Sequence, residues 1–268
     1  MTDLLDDSFS VPARLGVVAE VRDGEFRLQL HPRAELLHNG ALRASVIAFM
    51  IDVVAGIVLD DDPDAWMLTS DMSVRMRPRP APDFLSTRST ILRRGRRSAT
   101  AAVDLVTDAG EPVATGAIGF ARVERRPTDP LKPSASPHRI SAMFDGSRTL
   151  GRPLREEAGI AVLDPMLGVL EMPVTPELRN PAGTLQGAMV ALFAEAAAEE
   201  MASARFGIAA VVTELDLRYL AQTKEGPVRS KCTLLGDGPD APIQVELVAR
   251  STDRLTTLVY ARTATIPT

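Results

Sequence analysis

Residues 40–52 read Gly40-Ala-Leu-Arg-Ala-Ser-Val-Ile-Ala-Phe-Met-Ile-Asp52, and residues 183–195 read Gly183-Thr-Leu-Gln-Gly-Ala-Met-Val-Ala-Leu-Phe-Ala-Glu195. Both stretches have a glycine, then an apolar run, then a carboxylate, and the second follows the first at an offset of 143 residues. The same offset, without a gap, places Ser70-Asp71-Met72 over Thr213-Glu214-Leu215. The chain therefore repeats one unit, which predicts two copies of one fold.

The length of the chain agrees with this repeat. A chain of 268 residues is long for one compact core and suits two domains of roughly 130 residues each. Residues 125–137 contain four prolines and little apolar material, which is typical of a linker. We therefore expect a first domain at residues 1–130, and a linker with the second domain at residues 131–268.

Each half has the same predicted order of elements. Residues 46–59 and 188–202 are apolar nearly all round, which predicts buried helices. Strand patterns precede the first helix at 17–30, with a turn at Asp23-Gly24, and follow it at 67–76, 84–92, 98–107 and 113–123, with a hairpin turn at 108–111. The second half shows strand patterns at 168–174, 211–220, 228–235, 243–251 and 255–265. One buried helix followed by four antiparallel strands, twice, is an α+β pattern.

Composition excludes several classes of function. A net charge of −5 and an aromatic content of 4% provide neither the basic field nor the stacking surface of a nucleic-acid-binding protein. The longest apolar stretch, 46–59, is interrupted by Asp52 and is shorter than the ~20 residues that span a bilayer. We expect no nucleic-acid partner and no membrane partner.

The cysteine and histidine content limits the chemistry further. Cys232 is the only cysteine, so an intramolecular disulfide and a cysteine-based metal cluster are both excluded. The first ten residues are acidic and polar, unlike an export signal, and we expect a cytoplasmic protein. The three histidines, at 31, 38 and 138, have no metal-site spacing. We expect no metal and no cofactor.

The second copy carries a recognisable motif. The run Asn180-Pro-Ala-Gly-Thr-Leu-Gln-Gly187, followed eight residues later by Glu195, resembles the Asn-x-x-Gly-x-x-His-Gly…Asp signature of hotdog-fold acyl-CoA thioesterases of the phenylacetate-pathway type. Residues 69–75 and 92–97 are also similar to strands of that family. The resemblance covers both halves apart from the linker and the first ~15 residues. It implies two tandem hotdog domains, each a central helix wrapped by an antiparallel sheet, which form a pseudo-dimer.

The resemblance also implies how a site is assembled. In this family the loop of one subunit faces the helix carboxylate of the other, so Asn180 and Gly187 would face Asp52. The first-half loop has lost the motif, because Asn180, Gln186 and Gly187 are replaced there by Leu37, Arg43 and Ala44. In the second half, Gln186 stands where the family has histidine, and Glu195 where it has aspartate. We therefore expect one complete site, and a second site at Glu195 that is weak or inactive.

Four residues are our catalytic candidates: Asp52, Asn180, Gly187 and Glu195. A carboxylate within an apolar helix is costly to bury without hydrogen-bond partners, so the presence of Asp52 there requires an explanation. One explanation is that Asp52 acts as a general base or nucleophile toward a thioester carbonyl. The alternative is that it faces solvent along a seam or caps a loop. Gly187 begins a helix, where free backbone N–H groups hold an oxyanion, although a glycine pair also serves simply to shape a loop.

Asn180 would position water or thioester, although an Asn-Pro pair is also typical of a turn. The candidates for substrate binding include Ser70 and Thr213, which follow their carboxylates by 18 residues on the next strand. We expect their hydroxyls to hydrogen-bond the carboxylate or water, although strand hydroxyls are also common without such a role. The other candidates are Gln186 and the arginines Arg93, Arg94 and Arg96. The arginines suit the phosphates of coenzyme A, but such a run is also typical of a solvated loop.

The sequence therefore predicts an acyl-CoA hydrolase that acts through a helix carboxylate and a backbone oxyanion hole, in a chain expected to form a homodimer. Two alternatives stay open. A hotdog hydratase or dehydratase generally uses a helix histidine, and neither predicted helix contains one. A non-catalytic acyl-CoA-binding protein is favoured by the degraded first-half loop. Acyl chain length, aryl preference and pathway are not evident from the sequence.

Overall fold

The computed structural model describes residues 10–22, 25–60, 62–126, 128, 132 and 137–267. The first half contains strands β1 (Val18–Arg22), β2 (Glu25–Leu30), β3 (Leu37–His38) and β4 (Ala41–Leu42), helix α1 (Ala44–Leu59), and strands β5 (Ala65–Met76), β6 (Leu85–Arg94), β7 (Ser98–Val106) and β8 (Pro112–Glu124). Two short helices follow, α2 (Pro137–Met143) and α3 (Leu154–Glu157). The second half contains β9 (Ala161–Asp164), β10 (Val169–Met172), helix α4 (Gly187–Phe206), and strands β11 (Val211–Tyr219), β12 (Val228–Leu234), β13 (Ile243–Ala249) and β14 (Arg254–Ala264).

The main elements of the first half reappear in the second at the offset found in the sequence. Helix α1 begins at Ala44 and α4 begins 143 residues later, at Gly187. The offset is the same between the first residues of β1 and β9, and between those of β6 and β12. The repeat that the sequence showed for residues 40–75 therefore extends to the strands of both halves.

Twelve strands form one sheet, in the order β1-β2-β6-β7-β8-β5-β11-β14-β13-β12-β10-β9. The two halves join at its centre, where β5 pairs antiparallel with β11 and Ser73 lies opposite Asp216. On either side of this pair, Asp71 faces Arg218 and Arg75 faces Glu214. Exchanging each residue for its counterpart in the repeat leaves this pairing unchanged, as an approximate two-fold axis that passes between Ser73 and Asp216 requires. The expected α+β pseudo-dimer, with its sheets joined edge to edge, is confirmed.

The two long helices form the centre of the core. Helix α1 packs on β5–β8, α4 packs on β11–β14, and the helices contact each other along the join. Most apolar residues of α1 and most alanines of α4 are buried, including Phe49, Ala194 and Ala198. The start of each helix lies beside the middle of the other, since the N–H of Ala44 donates to Glu195 and Gly187 lies beside Asp52.

Most predicted elements lie within two residues of the observed ones. The predicted turn at Asp23-Gly24 and most of the predicted linker at 125–137 fall outside the described residues. The sequence analysis missed β3, β4, β9, α2 and α3, which are seven residues or fewer and show no periodic apolar pattern. Along the ranges that the structure describes, every helix is too short or too polar to pass through a bilayer.

We predict that Gly116→Ala in β8 destabilises the fold. A methyl group at Gly116 would collide with the backbone oxygen of Ser73 on β5 and would lie 2.5 Å from Cδ1 of Ile51 on α1. Overpacking of this kind costs about 1–3 kcal/mol of unfolding free energy, which urea denaturation measures. Gly151→Ala is the control, since a methyl group there meets no atom within 4 Å. Equal stability of the two variants would contradict the close helix–sheet approach.

Candidate active site

A cavity of about 540 Å³ lies between the two halves. One wall is a face of α1, whose lining side chains recur every three or four residues: Phe49, Asp52, Val53, Gly56, Ile57 and Asp60. The opposite wall comes from the second half, from residues 179–187 and 219–223. Asp52 and the glycine-containing loop therefore face each other across the join, as the resemblance implied.

Asp52 is held by one residue from each half. Its Oδ1 accepts a hydrogen bond from Oγ1 of Thr69 at 2.7 Å, and its Oδ2 accepts one from Nε2 of Gln186 at 2.9 Å. Burial raises the pKa of Asp52 to about 6, and the hydrogen bond from Thr69 partly offsets that rise. The carboxyl group therefore titrates near neutral pH while both of its oxygens are oriented by neighbours.

Gln186 has a fixed amide orientation. Its Oε1 accepts hydrogen bonds from the backbone N–H groups of Ala188 at 2.7 Å and Met189 at 3.2 Å, which makes Gln186 the N-cap of α4. With Oε1 committed to the helix, Nε2 is the group that points at Asp52. The residue that replaces the family histidine is therefore a donor to the carboxylate, and it also stabilises the start of the helix.

Gly187 is the first residue of α4 and lies beside Asp52. A methyl group built on Gly187 would lie 3.5 Å from Oδ2 of Asp52 and 3.5 Å from the hydroxyl of Tyr219, so these three residues converge. The Tyr219 hydroxyl donates to the carbonyl oxygen of Gly187 at 3.0 Å. Among the described residues, the N–H of Gly187 has no acceptor. An N–H at the positive end of a 20-residue helix is thus available beside Asp52.

Asn180 shapes the loop and also lines the cavity. Its Oδ1 accepts from the backbone N–H and the hydroxyl of Thr184, at 3.1 and 3.2 Å, which leaves Nδ2 without an acceptor in the described part of the chain. A role for Asn180 in the turn is therefore compatible with a role in positioning water or thioester. The amide oxygen stabilises the turn, and the amide nitrogen is available as a donor.

The two strand hydroxyls are placed differently from our expectation. Ser70 is the extra residue of a β-bulge, and its hydroxyl donates to Asp71 at 2.8 Å rather than to Asp52, although it lines the cavity. Thr213 is the extra residue of the equivalent bulge and contacts the carbonyl oxygen of Arg262 at 3.5 Å, away from the cavity. The bulge shifts the inward-facing position by one residue, so that Thr69 contacts Asp52.

Thr69 and Tyr219 were missed by the sequence analysis. Both break the repeat, because their counterparts at the 143-residue offset are Val212 and Met76. A polar residue in one copy opposite an apolar residue in the other is the signal that would have identified them.

The arginine run lies on the hairpin between β6 and β7. Arg93, Arg94 and Arg96 are exposed, and none of them lines the cavity. Nη2 of Arg94 donates to the carbonyl oxygen of Val58 at 2.8 Å, which holds the hairpin against the C-terminal end of α1. The hairpin therefore lies near the end of the cavity marked by Asp60.

The equivalent position in the other half is filled by the protein itself. Oε1 of Glu195 accepts from the N–H of Ala44 at 2.7 Å, and Oε2 accepts from the N–H and the hydroxyl of Ser45 at 3.3 and 2.5 Å. Ala44 is the counterpart of Gly187, so the helix start that would hold an oxyanion here already holds a carboxylate. Glu195 is 1% exposed and does not line the cavity.

A buried charge cluster surrounds Glu195. Nη1 of Arg43 lies 3.0 Å from Glu199 and 3.8 Å from Glu195, so one guanidinium serves two carboxylates. Burial and the Glu199 charge raise the pKa of Glu195 to about 7, although Arg43 opposes the shift. Burial and Arg43 lower the pKa of His38 to about 4, so that histidine is neutral at pH 7. Across the described ranges, no group of three or more histidine, cysteine or acidic side chains is arranged to hold a metal ion.

We predict that Thr69→Val raises the pKa of Asp52 above about 6, because it removes the hydrogen bond that lowers that pKa. Titration followed by ¹³C NMR of the aspartate carboxyl carbons measures the shift, with Asp52→Asn used to assign the signal. Ser70→Ala is the matched control, since its hydroxyl donates to Asp71, and it should leave the pKa of Asp52 nearly unchanged. The same pKa in wild type and Thr69→Val would contradict this geometry.

Comparison with known proteins gives the same fold. The family model of the acyl-CoA thioesterase C-terminal domain matches residues 9–117, less than half of the 268-residue chain. No curated protein matches the sequence.

Solved structures match almost the whole chain. The tesB protein of Mycobacterium avium subspecies paratuberculosis has 15% identity and a TM-score of 0.62, covering 96% of this chain and 98% of its own. An acyl-ACP thioesterase from Bacteroides thetaiotaomicron has 11% identity and a TM-score of 0.62, covering 89% and 97%. A protein of unknown function with a hotdog fold from Alicyclobacillus acidocaldarius has 14% identity and a TM-score of 0.56, covering both chains fully. The chain is thus a tandem double hotdog protein whose first half matches a family of acyl-CoA thioesterases.

Proposed function

We propose that this protein hydrolyses acyl thioesters, with acyl-CoA as its substrate, at one composite site between its two halves. The observation that carries the proposal is the position of Asp52, a carboxylate from the first half that faces the start of a helix from the second half inside a cavity. The family match of residues 9–117 supports the enzyme class, a thioester hydrolase.

Asp52 supplies the base in this proposal. With a pKa of about 6, its carboxyl group is mostly ionised at pH 7 and remains basic enough to take a proton from water. The hydrogen bonds from Thr69 and Gln186 occupy one site on each oxygen, which leaves a further lone pair on each for a water molecule in the cavity that Asp52 lines. This arrangement favours activation of water over direct attack by Asp52 on the substrate.

The start of α4 supplies the electrostatic stabilisation. Attack of water on the thioester carbon places negative charge on the carbonyl oxygen, and the free N–H of Gly187 would donate to it. The Nδ2 group of Asn180 provides a second donor to the substrate or to the attacking water. Collapse of the tetrahedral intermediate breaks the carbon–sulfur bond, releases the coenzyme A thiolate, and leaves the proton from water on Asp52.

The second pseudo-site is proposed to be inactive. Glu195 already occupies the N–H groups at the start of α1 that an oxyanion would need. Its side chain is one methylene longer than that of aspartate, which lets it reach the helix start directly. Its assignment as a catalytic candidate is therefore replaced by a structural role.

We also propose that the two domains divide near residues 130–131, because β8 ends at Glu124 and α2 begins at Pro137. Arg93, Arg94 and Arg96 are proposed to bind the phosphates of coenzyme A, because their hairpin lies near the Asp60 end of the cavity.

We propose that the fused chain forms a homodimer, which the usual pairing of hotdog domains supports. We also propose a cytoplasmic location, which the acyl-CoA substrate and the single cysteine support.

We predict that Asp52→Asn lowers kcat/KM by roughly 10²–10⁴, because loss of a positioned base typically costs this much. Glu195→Gln should leave most of the activity per folded molecule, because Glu195 lies outside the cavity. It should instead lower the melting temperature, since an amide cannot accept all of the hydrogen bonds that the carboxylate accepts. Release of free thiol from a panel of acyl-CoA substrates measures activity, and circular dichroism measures folding.

An inactive Glu195 variant beside an active Asp52 variant would contradict the asymmetric assignment. A wild-type protein that binds acyl-CoA but releases no thiol from any member of the panel would instead support the non-catalytic binding protein.

A further inference from the structure

The connection between the two halves contributes to the cavity. Ile140 and Met143 of α2, and Phe144 directly after it, line the cavity together with Phe49 of α1. The spacing of positions 140, 143 and 144 places these side chains on one face of the short helix. The rings of Phe49 and Phe144 meet edge to face, with their centroids 5.9 Å apart. The connection therefore forms an apolar wall.

This wall is held in place by the first domain. The N–H of Ala19 in β1 donates to the carbonyl oxygen of Phe144 at 2.7 Å, and Val18 forms a bridge with Asp145. Leu15 forms a further bridge with Thr149. Ile140 and Phe144 are buried, so the face is packed and is not a loose flap.

The cavity has two chemically different ends. Along α1 it extends from Phe49 to Asp60, about 16 Å at the rise of a helix. At the Asp60 end, Nζ of Lys132 contacts Oδ1 of Asp60 at 2.5 Å and the carbonyl oxygen of Ala65 at 2.8 Å, so charged groups line it. At the Phe49 end the α2 side chains are apolar. An amphipathic substrate with its thioester at Asp52 would place its acyl group at the apolar end.

The connection bounds the cavity that contains Asp52. Glu195, the counterpart of Asp52 in the repeat, does not line this cavity.

We propose that Ile140, Met143 and Phe144 form the end wall of the acyl pocket and determine the longest acyl group that the enzyme accepts. This inference rests on the proposed hydrolysis of acyl thioesters. Each methylene that finds or loses room in an apolar pocket changes kcat/KM by about 10-fold or more. Removing bulk from the wall therefore favours longer chains, and adding bulk favours shorter ones.

Two substitutions at one position test the wall in opposite directions. Met143 is half-buried, so Met143→Ala and Met143→Phe are less disruptive than changes at the fully packed Phe144. The measurement is kcat/KM for straight-chain acyl-CoA substrates from butanoyl to hexadecanoyl. Met143→Ala should raise the relative kcat/KM of chains longer than the wild-type optimum by about 10-fold, and Met143→Phe should lower it similarly. Leu150→Ala is the control, because Leu150 is buried in the same connection but does not line the cavity.

Binding separates this inference from the proposed hydrolysis. Calorimetric titration of the same acyl-CoA series into an Asp52→Asn background, with and without the Met143 changes, gives the chain-length dependence of Kd. A shift in Kd preference without wild-type turnover would support the wall and overturn hydrolysis. Turnover with chain-length profiles identical in wild type and in both folded Met143 variants would overturn the wall, and so would a Leu150→Ala profile that shifts as Met143→Ala does.

Discussion

The antiparallel pairing of β5 with β11 is the constraint on which the rest of the structure depends. It joins the two half-sheets at Ser73 and Asp216 and sets α1 and α4 side by side. The start of each helix then faces the carboxylate position of the other. A carboxylate and a helix N-terminus from different halves meet twice, at two pseudo-equivalent places, and the side chains at these places determine what each can do.

The two places differ in the length of the carboxylate side chain and in the residue that precedes the helix, among other substitutions. At one place Asp52 stops short of α4, and Gln186 bridges the gap, capping the helix with Oε1 and contacting Asp52 with Nε2. At the other, Glu195 reaches the start of α1 itself. In the first arrangement the N–H of Gly187 has no acceptor among the described residues, and a cavity lies beside it. In the second arrangement the carboxylate accepts hydrogen bonds from the helix start and belongs to a buried charge cluster. The two copies of the repeat have therefore diverged: the place at Asp52 is open to a cavity, and the place at Glu195 is filled by the protein itself.

The site carries a cost in stability that depends on pH. The folded-state pKa of Asp52, about 6, lies above its ordinary value of 3.8, so the folded chain holds this proton more tightly than the unfolded chain. The contribution of Asp52 to stability is therefore largest below about pH 4 and falls as the pH rises through 6. Above that pH the protein keeps an ionised carboxylate in a poorly solvated position, as the proposed general-base role of Asp52 requires.

Much of the fold was predictable from the sequence. Apolar and alternating patterns predicted both long helices and the central strands, and the 143-residue offset predicted two copies of one unit. The meeting of Asp52 with the loop at 180–187 was implied by the family resemblance. The predictions were less accurate where side-chain direction depends on a local irregularity: a β-bulge turns Ser70 away and Thr69 inward. The role of Gln186 depends on helix-end geometry, and the wall at α2 lies in the connection between the two repeated units. No periodic pattern in the sequence indicates either the role of Gln186 or the wall at α2.

The central claim is that one chain holds one substrate site, built from both halves. Calorimetric titration of the wild-type protein with a non-hydrolysable alkyl-CoA thioether counts the sites per chain directly. The account predicts one thioether per chain. Two equivalent sites per chain would contradict it, because they would require the pocket beside Glu195 to open and accept the same ligand.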